Sequence, residues 1–324
     1  MNEGRIAAWL LCMQMLHAGA VAAQDARADR PWQASISVGG GWNDNPALIG
    51  SAITFGTPAS AVPFITRRGA YFGRFAFDGS YDLIRGREQL LTVGYGLHGD
   101  QYENDAKEVN QQVHNLWAGY QRRLAPNFAV SFQVADEYVR IGGSSFSNAV
   151  MLEPSAYWRF ASWGALELDY KRGYFDMRIP VLAPGTDRDG TFDDVGARFF
   201  FDVPDTELKL RAGFRHRSND TDKSTGGLFD YRANTAAFGI THPLPLGVLA
   251  DLGFERRRYH YQGLGPALGV GRADTIDFAT LLLTRPLSQR MRLYLRYDYI
   301  DADSNAALFH FRQRVIGAGL VWNF

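Results

Sequence analysis

Cysteine is almost missing from this sequence: the only one in 324 residues is Cys12, inside an apolar N-terminal stretch. Disulfides are therefore excluded, and so is thiol chemistry beyond that stretch. Lysine is nearly as scarce. Only Lys107, Lys171, Lys209 and Lys223 accompany the arginines among 34 cationic residues, which 34 acidic residues balance to zero net charge. Without a basic excess, nucleic acid is not an expected partner. Long apolar runs are lacking too, since none after the N-terminal stretch approaches the roughly 18 residues of a membrane-spanning helix. Aromatic residues, by contrast, are plentiful: 22 Phe, 15 Tyr and 7 Trp. With 46% hydrophobic residues the chain is neither disordered nor collagen-like.

At the N-terminus Arg5 precedes an almost wholly apolar run from Ile6 to Ala20, and Ala20-Val21-Ala22 places small residues at alternate positions, as signal peptidase requires. Residues 1–22 are expected to be a cleaved secretory signal, the alternative being a short membrane anchor. Leu11 is too large for a lipoprotein cleavage site before Cys12. Residues 23–31 then form a short periplasmic segment and 32–324 the folded body.

That body alternates with a period of two, the strand period. Met291, Leu293, Leu295, Tyr297 and Tyr299 fall on one parity; Arg292, Tyr294, Arg296 and Asp298 fall on the other. Leu208, Leu210, Ala212 and Phe214 likewise oppose Lys209, Arg211, Arg215 and Arg217, and Val195, Ala197, Phe199 and Phe201 oppose Asp194, Arg198 and Asp202. Two segments, near Asn234 to Thr241 and Ile276 to Arg285, are ambiguous in face. Such segments number about fourteen: 32–42, 70–84, 88–102, 111–124, 128–140, 150–161, 164–177, 192–203, 207–218, 230–242, 248–261, 273–285, 291–301 and 309–324. Tight connections such as Arg85-Gly86-Arg87 and Ala125-Pro126-Asn127 alternate with longer ones. The strands exceed the five or six residues usual in soluble sheets, and a strand tilted through hydrocarbon needs about nine to eleven. A soluble sandwich would show the same alternation, but strand length, loop asymmetry and the chain end together favour an all-β, transmembrane, antiparallel up-and-down barrel in the bacterial outer membrane. Its short turns are expected to face the periplasm and its long loops the exterior.

Phe324 ends the chain, with Trp322, Leu320, Ala318 and Ile316 on its parity. This resembles the terminal signal read by the barrel-assembly machinery, and implies that machinery as a partner in biogenesis. Outer-membrane lipid and lipopolysaccharide are expected to surround the apolar face. An arginine on that face at the bilayer midplane costs about 2–4 kcal/mol, so the charged parity must point inward. The residues this places in the lumen are Arg74, Asp78, Glu167, Asp169, Lys171, Arg198, Lys209, Arg211, Arg215, Asp251, Glu255, Arg257, Arg292, Arg296 and Asp298. Trp42, Tyr71, Trp163, Tyr299 and Trp322 suit interfacial girdles.

The mixed signs of the luminal charges have two readings: an eyelet whose field orients polar or anionic solutes, or pairs that hold the wall together. The apolar loop Pro46 to Gly69 either constricts the pore or meets a partner at the surface. Asp187-Arg188-Asp189-Gly190, with Asp193 and Asp194, resembles the opening of a calcium loop but lacks the distal Glu, so a solvated turn is expected and no metal or cofactor is assigned. No G-x-S-x-G elbow occurs and none of the histidines has metal-ligand spacing, so no catalytic residues are assigned. A rim-located lipid hydrolase is the enzyme alternative.

Gly41-Trp42-Asn43-Asp44-Asn45-Pro46 resembles the aromatic-Asx-x-Asn opening of a family of β-barrel porins and of the barrel of surface lipoprotein assembly modifiers. The segment Ser304 to Arg312 leading to Phe324 is similar to their last hairpin. The resemblance implies fourteen strands and passage of small polar solutes or an exported polymer, with assembly or translocation of surface lipoproteins as the alternative. The helical repeat domain with which the modifiers engage clients has no counterpart here. The motif also has a purely local meaning, because Asn and Asp bond their own backbone and Pro stops pairing.

Overall fold

The computed structural model describes residues 30–46, 69–177, 189–221, 230–264, 271–306 and 309–324. The expected signal stretch, most of the Pro46 to Gly69 loop and residues 178–188 lie outside them. Fourteen strands are present: β1 (Trp32–Asn43), β2 (Ala70–Arg85), β3 (Gln89–Tyr102), β4 (Gln111–Ala125), β5 (Phe128–Ile141), β6 (Ser144–Ala161), β7 (Gly164–Met177), β8 (Gly190–Asp202), β9 (Lys209–Thr221), β10 (Tyr231–Leu244), β11 (Val248–Leu264), β12 (Gly271–Pro286), β13 (Met291–Ser304) and β14 (Phe311–Asn323). Each pairs antiparallel with its sequence neighbours, and β14 returns to β1, so the sheet is a closed barrel. Closure leaves no unpaired strand edge, the condition a bilayer imposes on any sheet that crosses it.

The two parities have opposite environments. On β8, Val195 is 57% exposed while Asp194 is 0% exposed. On β13, Leu293, Leu295 and Tyr297 are exposed while Asp298 and Ile300 are buried. The outward apolar run covers Met291 to Tyr299 on β13 and Ile316 to Trp322 on β14, continued by the terminal Phe324. At about 3.3 Å per residue and a tilt near 45°, either run spans roughly 20 Å, close to the hydrocarbon band of an outer-membrane barrel.

The strands whose faces were ambiguous are apolar on both sides for a local reason. β12 turns Ile276 and Phe278 inward, where they join Ala233, Tyr259, Ile300, Ala302 and Phe311 in a buried cluster on one wall of the long-loop half. β10 sends Phe238 outward, 46% exposed. One connection departs from the long-and-short alternation. The loop expected between 140 and 150 is a tight turn, Gly142-Gly143, at φ 57° and 82°. Both glycines adopt the left-handed conformation that two-residue hairpins need. The polar Ser144 to Asn148 read as loop because they extend β6 beyond the apolar belt. A register shift beside Val139 and Arg140 lets Phe146 turn inward onto Val113 and Val139.

Glycine sets the closing seam. Gly39, Gly40 and Gly41 of β1 pair with Gly319, Ala318 and Gly317 of β14. A Cβ on Gly41 would lie 2.0 Å from the Ile316 carbonyl oxygen, and one on Gly319 would lie 2.3 Å from that of Val38. Beyond the glycines the Asn43-Asp44-Asn45 motif ties the same seam. The Asn45 backbone N–H donates to Asn43 Oδ1 at 3.0 Å, an Asx turn as the local reading of the motif requires. Its side chain goes further, donating Nδ2 to the Arg312 carbonyl at 2.8 Å. Gln313 Nε2 donates to Asn43 Oδ1 and to the Asn45 carbonyl, and the Arg314 backbone N–H donates to Asp44 Oδ1 at 2.7 Å. The motif therefore both stops β1 and latches it to β14.

Candidate functional site: the charged interior

Strand alternation brings inward-facing side chains of neighbouring strands side by side, and on β6–β9 it collects a cluster of ionic ones between smaller and aromatic neighbours such as Ala165, Gly196 and Phe192. Lys171 reaches Glu153 at 2.8 Å. Arg198 donates to Glu167 at 2.6 Å and lies 3.8 Å from Asp169. Arg215 donates to Asp169 at 2.6 Å and lies 3.5 Å from Asp194. Arg217 grips both oxygens of Asp194, with Nε at 3.0 Å and Nη2 at 2.5 Å. Three guanidinium groups and three carboxylates thus form one continuous, formally neutral ladder. Asp169 and Asp194 have no solvent-exposed side-chain surface. The planar fork of arginine suits this bidentate pairing better than an ammonium would, which gives the lysine scarcity a structural reading.

The other walls are paired in the same manner. Arg74 donates to both oxygens of Asp100, at 2.7 and 2.8 Å. His98 lies 3.1 Å from Asp78. Arg211 donates twice to Asp251 at 2.6 Å, and Thr241 donates to the same carboxylate. Glu255 bonds Arg257, and Arg296 donates to Asp298, which also accepts from Thr280. Two of the residues expected in the lumen depart from this arrangement. Lys209, 3.9 Å from Asp202 with a mostly exposed side chain, sits at the short-turn rim. Arg292 is exposed at the same rim, at the start of β13.

Asp100, His98, Glu153 and the buried pair Arg272 and Asp274 complete these networks, and sequence reading passed over all five. Parity alone could have placed them inward, yet only the closed register shows which strand supplies each partner. The acidic run also divides. Asp194 points inward, whereas Asp193 points outward to the Tyr170 hydroxyl and to Arg172 at 3.6 Å. The two aspartates therefore share no ligand position. Among the histidines, His98, His114, His216 and His310 meet Asp78, Tyr95, Asn234 and Asp303, so no serine hydroxyl is among these partners.

Charged residues outside the set expected in the lumen also occur, and several on the long-loop half face outward. Arg256 donates to both oxygens of Asp277 at 2.7 Å, and Arg312 to Asp301 at 3.2 Å. The cost that forces arginine inward applies within hydrocarbon and falls to about 0–1 kcal/mol near the interface. These pairs lie beyond the apolar belt. The aromatic side chains mark its edges. Trp42 and Tyr71 meet edge to face at 4.7 Å near one rim, and Trp163 stacks on Phe201 at the other.

No family profile and no curated protein matches the sequence. Among solved structures, outer-membrane expressed OmpT of Vibrio cholerae matches with TM-score 0.52 at 8% identity, covering 92% of this chain and 99% of that one. An anion-selective porin from Comamonas acidovorans matches with TM-score 0.51 at 9% identity, covering 90% and 98%. The chain has the fold of an outer-membrane β-barrel. At such identities the likeness establishes the fold, while the interior ladder of this barrel is described by its own residues.

Proposed function

We propose that the barrel is a passive conduit for small polar solutes or an exported polymer. The observation that carries this reading is the closed fourteen-stranded wall with polar side chains turned inward. Eight strands close around packed side chains, whereas sixteen to eighteen leave an aqueous channel, and fourteen approach the wider case. Arg211, Arg215, Arg296 and Asp298 line the passage in this reading, with Arg292 at its periplasmic mouth and the Pro46 to Gly69 loop restricting it. Phe324, Trp322 and Leu320, all exposed on the outer face, act as the assembly signal. The Gly41 to Pro46 signature and the last hairpin support kinship with the β-barrel porins and assembly-modifier barrels.

The pairing of the interior charges sets the expected selectivity. Each neutralised pair contributes little net field along the passage, so cations and anions should permeate within a few-fold of one another. Purified, folded protein added to planar bilayers is expected to give discrete conductance steps. Its reversal potential under a salt gradient should lie close to zero. Baseline current from protein that is demonstrably folded would refute the conduit.

A further inference from the structure

On the outer face of β9–β11 the apolar belt ends at exposed Phe214, Phe238 and Phe254. Phe238 and Phe254 are direct cross-strand partners. Toward the long-loop rim the character of this face changes within two residues. Arg256, exposed on β11, is neutralised by Asp277 of β12. The following rows place Arg258 opposite Asn234, and His260 opposite Arg232. Arg232 and Arg258 are exposed, and neither has an ion-pair partner among the described residues.

The position of these two arginines is informative. Arg258 lies four residues beyond Phe254, about 13 Å along the strand and roughly 9 Å along the membrane normal at the usual tilt. That is the step from the edge of the hydrocarbon to the headgroup layer. Because Arg232 faces His260, it is the diagonal neighbour of Arg258, with backbones about 7–8 Å apart. Two forked guanidinium groups at that spacing can converge on one phosphate or grip two adjacent ones.

We propose that the outer face of β10–β11 docks the phosphorylated head of lipopolysaccharide, Arg232 and Arg258 binding its phosphates and Phe238 and Phe254 contacting its acyl chains. The proposal rests on the barrel standing in the outer membrane with its long-loop rim outward, and is independent of conduction. Charge complementarity selects the occupant, since a glycolipid carrying phosphates directly above acyl chains matches a surface that places exposed cations directly above exposed aromatics.

The full, folded chain in detergent would be mixed with diphosphorylated lipid A, dephosphorylated lipid A or phosphatidylglycerol, and bound lipid measured by native mass spectrometry. Retention of diphosphorylated lipid A well above both other lipids is expected. The R232Q/R258Q variant should retain at least about tenfold less, the order of loss that accompanies removal of charge-assisted hydrogen bonds. Heat-modifiable migration on gels checks that the variant is folded. Equal retention of the three lipids, or undiminished retention by the folded variant, overturns the proposal. The comparison of lipids on the unaltered protein needs no variant and decides the matter if the substitutions prevent folding. Loss of conductance in planar bilayers would leave this result untouched.

Discussion

Replacing Asp194 with Ala is expected to destabilise the barrel by about 3–5 kcal/mol, because it leaves largely buried cations without their carboxylate. Asp194 is the hub of the β8–β9 wall. It accepts two hydrogen bonds from Arg217 and faces Arg215 at 3.5 Å, and both arginine side chains are largely buried. Removing the carboxylate leaves Arg217 without its bidentate partner and weakens the hold on Arg215, which keeps only Asp169. The same substitution at Asp193, next in sequence but turned outward to the half-exposed Arg172, should cost no more than about 1 kcal/mol, the scale of a surface pair. Urea midpoints of the two variants, measured on protein refolded into detergent micelles, give the contrast. Equal shifts would mean that the ladder does not hold the wall.

The second large effect is expected at the seam. A valine at Gly41 would need its Cβ within 2.0 Å of the Ile316 oxygen and 2.7 Å of the Gly317 Cα. Both are backbone atoms of β14, and neither can turn aside as a flexible side chain would. Closure would have to give way over the β1–β14 pairing, and an unclosed sheet exposes backbone donors and acceptors to lipid at several kcal/mol each. G41V should therefore leave no heat-modifiable, protease-resistant barrel in the membrane fraction. Gly73, on the neighbouring strand β2, has nothing within 4 Å of the position a Cβ would take, so G73A should accumulate as the parent does. A folded G41V barrel would show that the seam tolerates a wider spacing.

The bilayer makes this fold unusually legible. One solvent is hydrocarbon and the interior is polar, so every strand crossing it writes its orientation into a period of two, and β8, β9 and β13 could be assigned inward and outward residue by residue. Where both environments turn apolar the period fails. Phe278 and Ile276 pack inside against Ile300 and Phe311, which hid the faces of β12. Where both are aqueous it fails in the opposite sense: Ser144 to Asn148 and the outward Arg256 lie beyond the belt, so neither polarity nor charge marks a face there. The candidate site was legible only in part. That Arg198, Arg211 and Arg215 face inward follows from the sequence, but their partners Glu167, Asp251 and Asp169 stand 31, 40 and 46 residues away. Only the register of a closed cylinder brings them together. The opening motif shows the same limit, because the Asx turn of Asn43 was readable locally while its bonds to Gln313 cross the whole chain to the last strand.

The central claim is that the apolar parity meets hydrocarbon while the charged parity is enclosed. A cysteine scan along β13 tests it, using single substitutions at Arg292 through Tyr297 in a background with Cys12 replaced by Ser. Each variant would be labelled with a small fluorophore and reconstituted into bilayers containing brominated lipid. Strong quenching at Leu293, Leu295 and Tyr297 with weak quenching at Tyr294 and Arg296 is the predicted pattern. Quenching of both parities alike, or strongest at Tyr294 and Arg296, would contradict it.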